Sequence, residues 1–371
     1  MAAVPFHVGS FGKVYRGTWL GSPVVVKCVD VQSNEARSAV LREAAIWKRL
    51  HDRHIVPFYG ACLKPGENSD DPSFLVCEEA ANGSLRNFLF NEKNAGRSPV
   101  WRTLRDAALG LHFLHQKGIV HGDLKGNQIL VNEAGVAMLT DFGMSSIPAR
   151  TVAPRHHEAV GAFQWKAPEL LGPDSSAPTI ESDVYAFGMC VVEALCGGPP
   201  WGDFPDVAIK FSLLKIKESA AKPGLQRAIS TRIMPRPVQI TNEKHWAFVR
   251  RLCAFDPSKR LKLPEAIEIL EQFVLEEIAQ ERHHSQQPSE AAQSFVDGRL
   301  FASIQADQLV ALVVLFAEGA AFCACFPIIL SHPLNVSKKF LNCIHAVVCG
   351  FAVRSLVEDG DIAFRTKHTT A

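Results

Sequence analysis

The apolar residues change their period near residue 84, and this limits what the chain can fold into. Before that point two β-branched runs, 24–26 and 74–77, flank a stretch over 36–50 whose apolar residues recur at helical spacing. Such a pattern predicts a small α+β lobe. After it Leu104, Ala108, Leu111 and Leu114 share one helical face, a strand-and-turn stretch covers 119–142, and helical segments continue to about residue 275. That predicts a larger, mainly helical lobe. Between 281 and 306 the composition shifts to Gln, Ser, His and Glu, which reads as a linker or a frayed helix end.

At 371 residues the chain is long enough for one large two-lobed domain plus an appendage. With 47% apolar and 21% charged residues it is not a disordered protein, and 39 basic against 38 acidic residues give no basic surplus for nucleic acid. Ten cysteines without a CxxC pair form neither a disulfide framework nor a zinc pattern, so they read as reduced thiols of a cytosolic protein. The first residues lack the basic start and apolar run of a secretory signal.

The tail is different in kind. Residues 309–330 carry a single charge, Glu318, and a second apolar run spans 340–353. The first run has the length of a transmembrane helix. Three readings stand side by side: a membrane anchor at 309–330, helices packed on each other or on the larger domain, and an error of gene-model translation. The early start of the patterned region suggests a truncated amino terminus. The basic stretch 210–236 reads as a solvated insertion between two helices.

Two clusters carry chemistry. Gly9-Ser10-Phe11-Gly12-Lys13-Val14 followed by Lys27 on a β-run has a phosphate-binding logic, because glycines let the backbone approach phosphate oxygens and a lysine adds a point charge. Taken alone, it reads equally as a hairpin beside a lysine-bearing strand. Glu43, on the helix that follows, either holds that lysine or is a solvated carboxylate. The second cluster is His121-Gly122-Asp123-Leu124-Lys125-Gly126-Asn127-Gln128, followed by Asp141-Phe142-Gly143 and Ala167-Pro168-Glu169.

With these motifs in this order the chain resembles a protein kinase over residues 4–275. The resemblance implies a bilobal α+β fold: a small antiparallel lobe with one main helix over 4–77, a hinge over 78–83, and a large lobe over 84–275. A linker over 276–307 and an apolar tail over 308–371 would follow. The activity implied is transfer of the γ-phosphate of ATP, with magnesium, to protein hydroxyl groups. Lys27 would hold the α- and β-phosphates with Glu43 as its partner. Asp123 would orient the attacking hydroxyl and accept its proton, Lys125 would neutralise the γ-phosphoryl group, and Asp141 would ligate magnesium. Gly9, Ser10, Phe11, Gly12, Val14, Val25, Cys77, Glu78, Ala80 and Leu130 would line the nucleotide, with Cys77 as the residue that sizes the pocket. Residues 183–188 resemble the segment that anchors the family's central helix, and Arg260 would pair with Glu169.

Lysine two residues after Asp123 resembles the serine/threonine-type loop. Arg42-Glu43-Ala44, Asn82-Gly83-Ser84-Leu85 and Trp165-Lys166-Ala167-Pro168-Glu169 resemble the tyrosine-kinase-like branch of serine/threonine kinases. There are departures. His7 stands where the loop's first glycine is expected, Gln128 stands for the asparagine that ligates a second magnesium, and its carbonyl would reach the ion from one methylene further out. Val25 and Ala162 replace a common alanine and threonine. Gly122 replaces the arginine that clamps a phosphorylated loop in many kinases, so Ser145, Ser146 and Thr151 read as ordinary loop polars. Two functions therefore stay open: an active kinase in signal transduction, and a pseudokinase serving as a nucleotide-binding or scaffold module.

Overall fold

The computed structural model describes residues 4–9, 12–29, 34–62, 73–142, 163–172, 175–220 and 234–286. Five strands, β1 (His7–Gly9), β2 (Gly12–Trp19), β3 (Ser22–Val29), β4 (Phe58–Cys62) and β5 (Ser73–Glu78), form one antiparallel sheet in the order β1-β2-β3-β5-β4. Helix α1 (Asn34–Trp47) enters between β3 and β4. In β3 the pleat turns Val24 and Val26 to one face, both buried, and Val25, Lys27 and Val29 to the other, where Val29 is buried against Val40 of α1 and Leu75. Register places Lys27 opposite Val14 on one side and Leu75 on the other, and Val25 opposite Cys77.

The chain then turns helical, as its period requires. Helices α2 (Leu85–Asn94), α3 (Val100–Gln116), α4 (Ile180–Cys196), α5 (Asp206–Ala220), α6 (Glu243–Leu252) and α7 (Leu263–Gln286) follow in order, with strands β6 (Ile129–Val131) and β7 (Ala137–Leu139) paired as a hairpin between α3 and α4. Leu104, Ala108, Leu111 and Leu114 of α3 are all fully buried. Helix α4 is buried almost all round from Ser182 to Glu193, which fits a central core helix. Its first turn is closed by a reciprocal cap between Thr179 and Ser182, and Gly197 ends it in the left-handed conformation.

Arg260 locks the large lobe. Both of its terminal nitrogens donate to Glu169, at 2.6 and 2.7 Å, and it also bonds the carbonyls of Ala254 and Glu181 beneath the Tyr185 ring. The pairing of Arg260 with Glu169 expected from the motifs is thus formed.

Three expectations need correction. Helix α7 does not stop at the boundary placed at 275 but runs on to Gln286, because Glu277 and Glu281 bond Arg102 on α3. Part of the supposed linker is therefore folded helix. The basic stretch 210–236 is not one solvated loop either: it begins inside α5, which buries Ile209 and Leu213. Finally, periodicity missed β1, β2 and β4. Residues 221–233, the rest of the linker from 287, both apolar runs of the tail, and Ala162, Ser145, Ser146 and Thr151 lie outside the described residues. Among the described residues no helix is long and apolar enough to cross a membrane.

Candidate active site

Sheet and helix first bring one charge pair together. Lys27 points from the inner face of β3, and its Nζ lies 3.1 Å from Oε1 of Glu43 on α1 and 2.9 Å from Oδ1 of Asp141. Asp141 follows β7 and takes a left-handed backbone, φ +66°, a strained conformation for a residue with a side chain. Burial alone would raise the Asp141 carboxyl, but Lys27 and the hydrogen bonds around it outweigh burial and hold it below the usual carboxylate range. Burial would likewise lower the Lys27 ammonium, yet the two carboxylates raise it. Glu43 is itself lifted by burial against the pull of Lys27.

The loop between α3 and β6 supplies the second half. Asp183, buried near the start of α4, accepts the backbone N–H of His121 at 2.7 Å and of Gly122 at 2.9 Å, and sits 2.9 Å from Nε2 of His115. One carboxylate thereby fixes the backbone just ahead of Asp123. Lys125 donates to Oδ2 of Asp123 at 2.9 Å. Glu193, one face further along α4, accepts the N–H of Gly126 at 3.1 Å and the indole N–H of Trp165 at 3.0 Å. Both carboxylates act on the loop from the most buried helix of the fold, so its position inherits that helix's rigidity.

Gln128 joins the two halves. Its Nε2 donates to Oδ2 of Asp123 at 3.3 Å and to Oδ2 of Asp141 at 3.2 Å, while its Oε1 is buried with no hydrogen-bond partner among the described residues. The sequence led to the opposite expectation, a carbonyl aimed at a magnesium ion. The reason is electrostatic: an amide oxygen placed between two carboxylates would be repelled by both, whereas the –NH2 has one hydrogen for each.

A column of rings ties α1 to this centre. His121 packs on Phe142 with centroids 5.7 Å apart, Phe142 meets Trp47 at 5.5 Å, and Trp47 stacks on Phe58 at 5.0 Å. Trp47 also donates its indole N–H to the carbonyl of Val56 at 2.7 Å. None of Trp47, Glu193 or the loop-holding role of Asp183 was read from the sequence. Trp47 had a usable signal, since it lies four residues after Glu43 on the same helical face.

The expected nucleotide-lining residues fall mostly on the strands. Gly9 ends β1, Gly12 and Val14 lie on β2, Val25 on β3, Cys77 and Glu78 on β5, and Leu130 on β6. Ser10 and Phe11 lie outside the described residues. A side chain at Gly12 would come within 1.9 Å of the carbonyl oxygen of Cys28, and its φ is +139°, so glycine alone fits that close crossing of strands. Cys77 is buried and its thiol is pushed up to about 12, mainly by burial, which makes it a neutral apolar wall. The N–H of Glu78 is spent on Pro57 and that of Glu79 lies 3.4 Å from the carbonyl of Pro23. The N–H of Ala80 takes no partner among the described residues.

A sheet lobe carrying a paired lysine and a helical lobe that brings Asp123 and Asp141 to it from two separate loops define a class of protein. Residues 8–273 match the family model described as "Protein kinase domain", and the chain belongs to the protein kinase family. It is 37% identical over 204 residues to the serine/threonine-protein kinase CTR1 of Arabidopsis thaliana, covering 53% of this chain and 24% of that protein. It is 25% identical over 300 residues to the serine/threonine-protein kinase STY46 of the same plant, covering 80% of this chain and 47% of that one. A probable serine/threonine-protein kinase, drkB of Dictyostelium discoideum, is 30% identical over 272 residues, covering 71% of this chain and 35% of that protein. The chain spans less than half the length of each of these relatives.

Proposed function

We propose that the chain is a serine/threonine protein kinase of the tyrosine-kinase-like branch, working in signal transduction on the cytosolic side. It transfers the γ-phosphate of ATP to serine or threonine hydroxyls of a protein substrate. The observation that carries this reading is the convergence of Lys27, Glu43 and Asp141 within 3.1 Å contacts beside the Asp123–Lys125 pair.

The roles follow from charge and reach. Phosphoryl transfer needs positioning and neutralisation of phosphate charge more than covalent chemistry. Lys27, steadied by Glu43, holds the α- and β-phosphates. Asp123 orients the incoming hydroxyl and accepts its proton at Oδ, and Lys125 beside it balances the γ-phosphoryl charge. The wall of Val14, Val25, Cys77 and Leu130 takes the apolar base, and the unpartnered N–H of Ala80 offers it a hydrogen bond. The donor set suits a magnesium ion at Asp141, a hard carboxylate for a hard cation, and that ion when bound supplies further neutralisation of the phosphates.

Asp123→Asn tests the reading. Turnover should fall by about three orders of magnitude while affinity for the nucleotide changes little, since hydroxyl orientation is lost and phosphate binding is not. Equal turnover in the variant would remove Asp123 from the chemistry. The orientation of Gln128 favours one second reading, a pseudokinase that binds nucleotide as a scaffold. Nucleotide binding by the unaltered chain with no transfer to any serine or threonine peptide would select it.

A further inference from the structure

We propose that the Gln128 amide stands in for a second metal ion, as a neutral bridge between Asp123 and Asp141, so that this kinase works with one divalent cation. The inference rests on the kinase reading above. Its Nε2 donates to one oxygen of each carboxylate, at 3.3 and 3.2 Å, and two N–H bonds directed at two acceptors use the full donor capacity of an amide.

The arrangement is kept although it carries a cost. Oε1 is buried with no partner among the described residues, and an unsatisfied buried acceptor costs about 1–3 kcal/mol. Turning the amide over to offer Oε1 to an ion would take both hydrogens away from the carboxylates. Each carboxylate is meanwhile balanced by its own cation, Asp123 by Lys125 and Asp141 by Lys27, both at 2.9 Å. Neither carboxylate therefore needs a second ion to offset its own charge.

Space argues the same way. Magnesium demands an octahedral shell and keeps several of its waters. Gln128 is 3% exposed, and it fills the gap between the two carboxylates that such a hydrated ion would need. The additional methylene, relative to asparagine, is what lets one amide reach both acids. Gln128 is thus a positioning residue: it fixes the separation of the proton acceptor from the metal-binding carboxylate.

Manganese counting by electron paramagnetic resonance decides the matter, on the full chain with a non-hydrolysable ATP analogue. The unaltered protein should bind one Mn2+ per bound nucleotide, and Gln128→Asn, which shortens the side chain and frees the gap, should bind two. Gln128→Leu, near in shape but without the amide, should still bind one ion while kcat falls about tenfold as the two acids lose their fixed separation. Two ions in the unaltered protein would overturn the inference and leave the kinase reading intact. One ion in both the unaltered protein and Gln128→Asn, with kcat in Gln128→Leu unchanged, would overturn it as well. No bound nucleotide at all would overturn both.

Discussion

Glu277 accepts the backbone N–H of Trp101 at 2.7 Å across 176 residues of chain. Helix α3 begins just there, and Pro99 before it provides no side-chain cap. Glu277 caps α3 from another helix, taking also the N–H of Arg102 at 3.4 Å and its Nε at 2.9 Å. A carboxylate at a helix N-terminus satisfies orphan donors and meets the positive end of the dipole. Glu277→Ala should therefore cost about 2 kcal/mol and lower Tm by about 5 °C in a thermal melt. A chain ending at 275 should be destabilised at least as much, and one ending at 286 should not. Equal melting of the two truncations would show that the cap is idle.

The Lys27–Asp141 pair sets a pH expectation. Asp141 is held low in the folded protein, so its contribution is present above the ordinary aspartate value of about 3.9 and is lost as pH falls through its lower folded value. Lys27 is raised, so its contribution is present below the ordinary lysine value of about 10.4 and is lost as pH rises through its higher folded value. Between these limits neither group titrates. In Lys27→Met the buried Glu43 and Asp141 lose the cation that lowers them, so the variant should lose stability as pH rises through their raised values, and the difference in urea midpoint should widen from about pH 5 and then stay level to about pH 9. A difference that shrinks above neutrality would mean that Lys27 loses its proton in the cleft.

Trp47 should control the engagement of Glu43. Trp47→Phe keeps a ring against Phe58 and Phe142 but leaves the Val56 carbonyl without its donor, and Trp47→Ala removes the ring as well. Hydrogen exchange across α1 should quicken in that order, with KM for ATP rising several-fold in Trp47→Phe and stability falling by about 3–5 kcal/mol in Trp47→Ala. Unchanged exchange in α1 would show that the column merely fills space.

Much of this architecture was legible from residue order. Lys27 and Glu43 sit on elements whose period is plain, a β-branched run and an amphipathic helix, whereas Asp123, Lys125 and Asp141 lie in loops that only the order of the motifs marks. What stayed hidden depends on partners distant in sequence. Glu277 reads as one more charge in a polar stretch until Trp101 is beside it, so nothing in the sequence shows that α7 runs on past 275. Strands β1, β2 and β4 were missed for a similar reason. Gly12–Trp19 mixes glycine, lysine and arginine, so its strand character comes from pairing with β3 and not from alternation. Gln128 shows the deepest limit. Its identity suggested a stretched ligand, and only the two carboxylates facing it decide which end of the amide turns inward.

Gly122 has a consequence for what this protein can become. Its φ is +83°, a conformation that glycine adopts freely and that costs a residue with a Cβ about 1 kcal/mol or more. Its N–H is tied to Asp183, so the backbone cannot relax to accommodate a replacement. Acquiring a phosphate-reading arginine at this place would mean accepting strain in the loop that carries Asp123. Any side chain placed here would therefore load its strain onto the stretch of backbone that leads straight into Asp123.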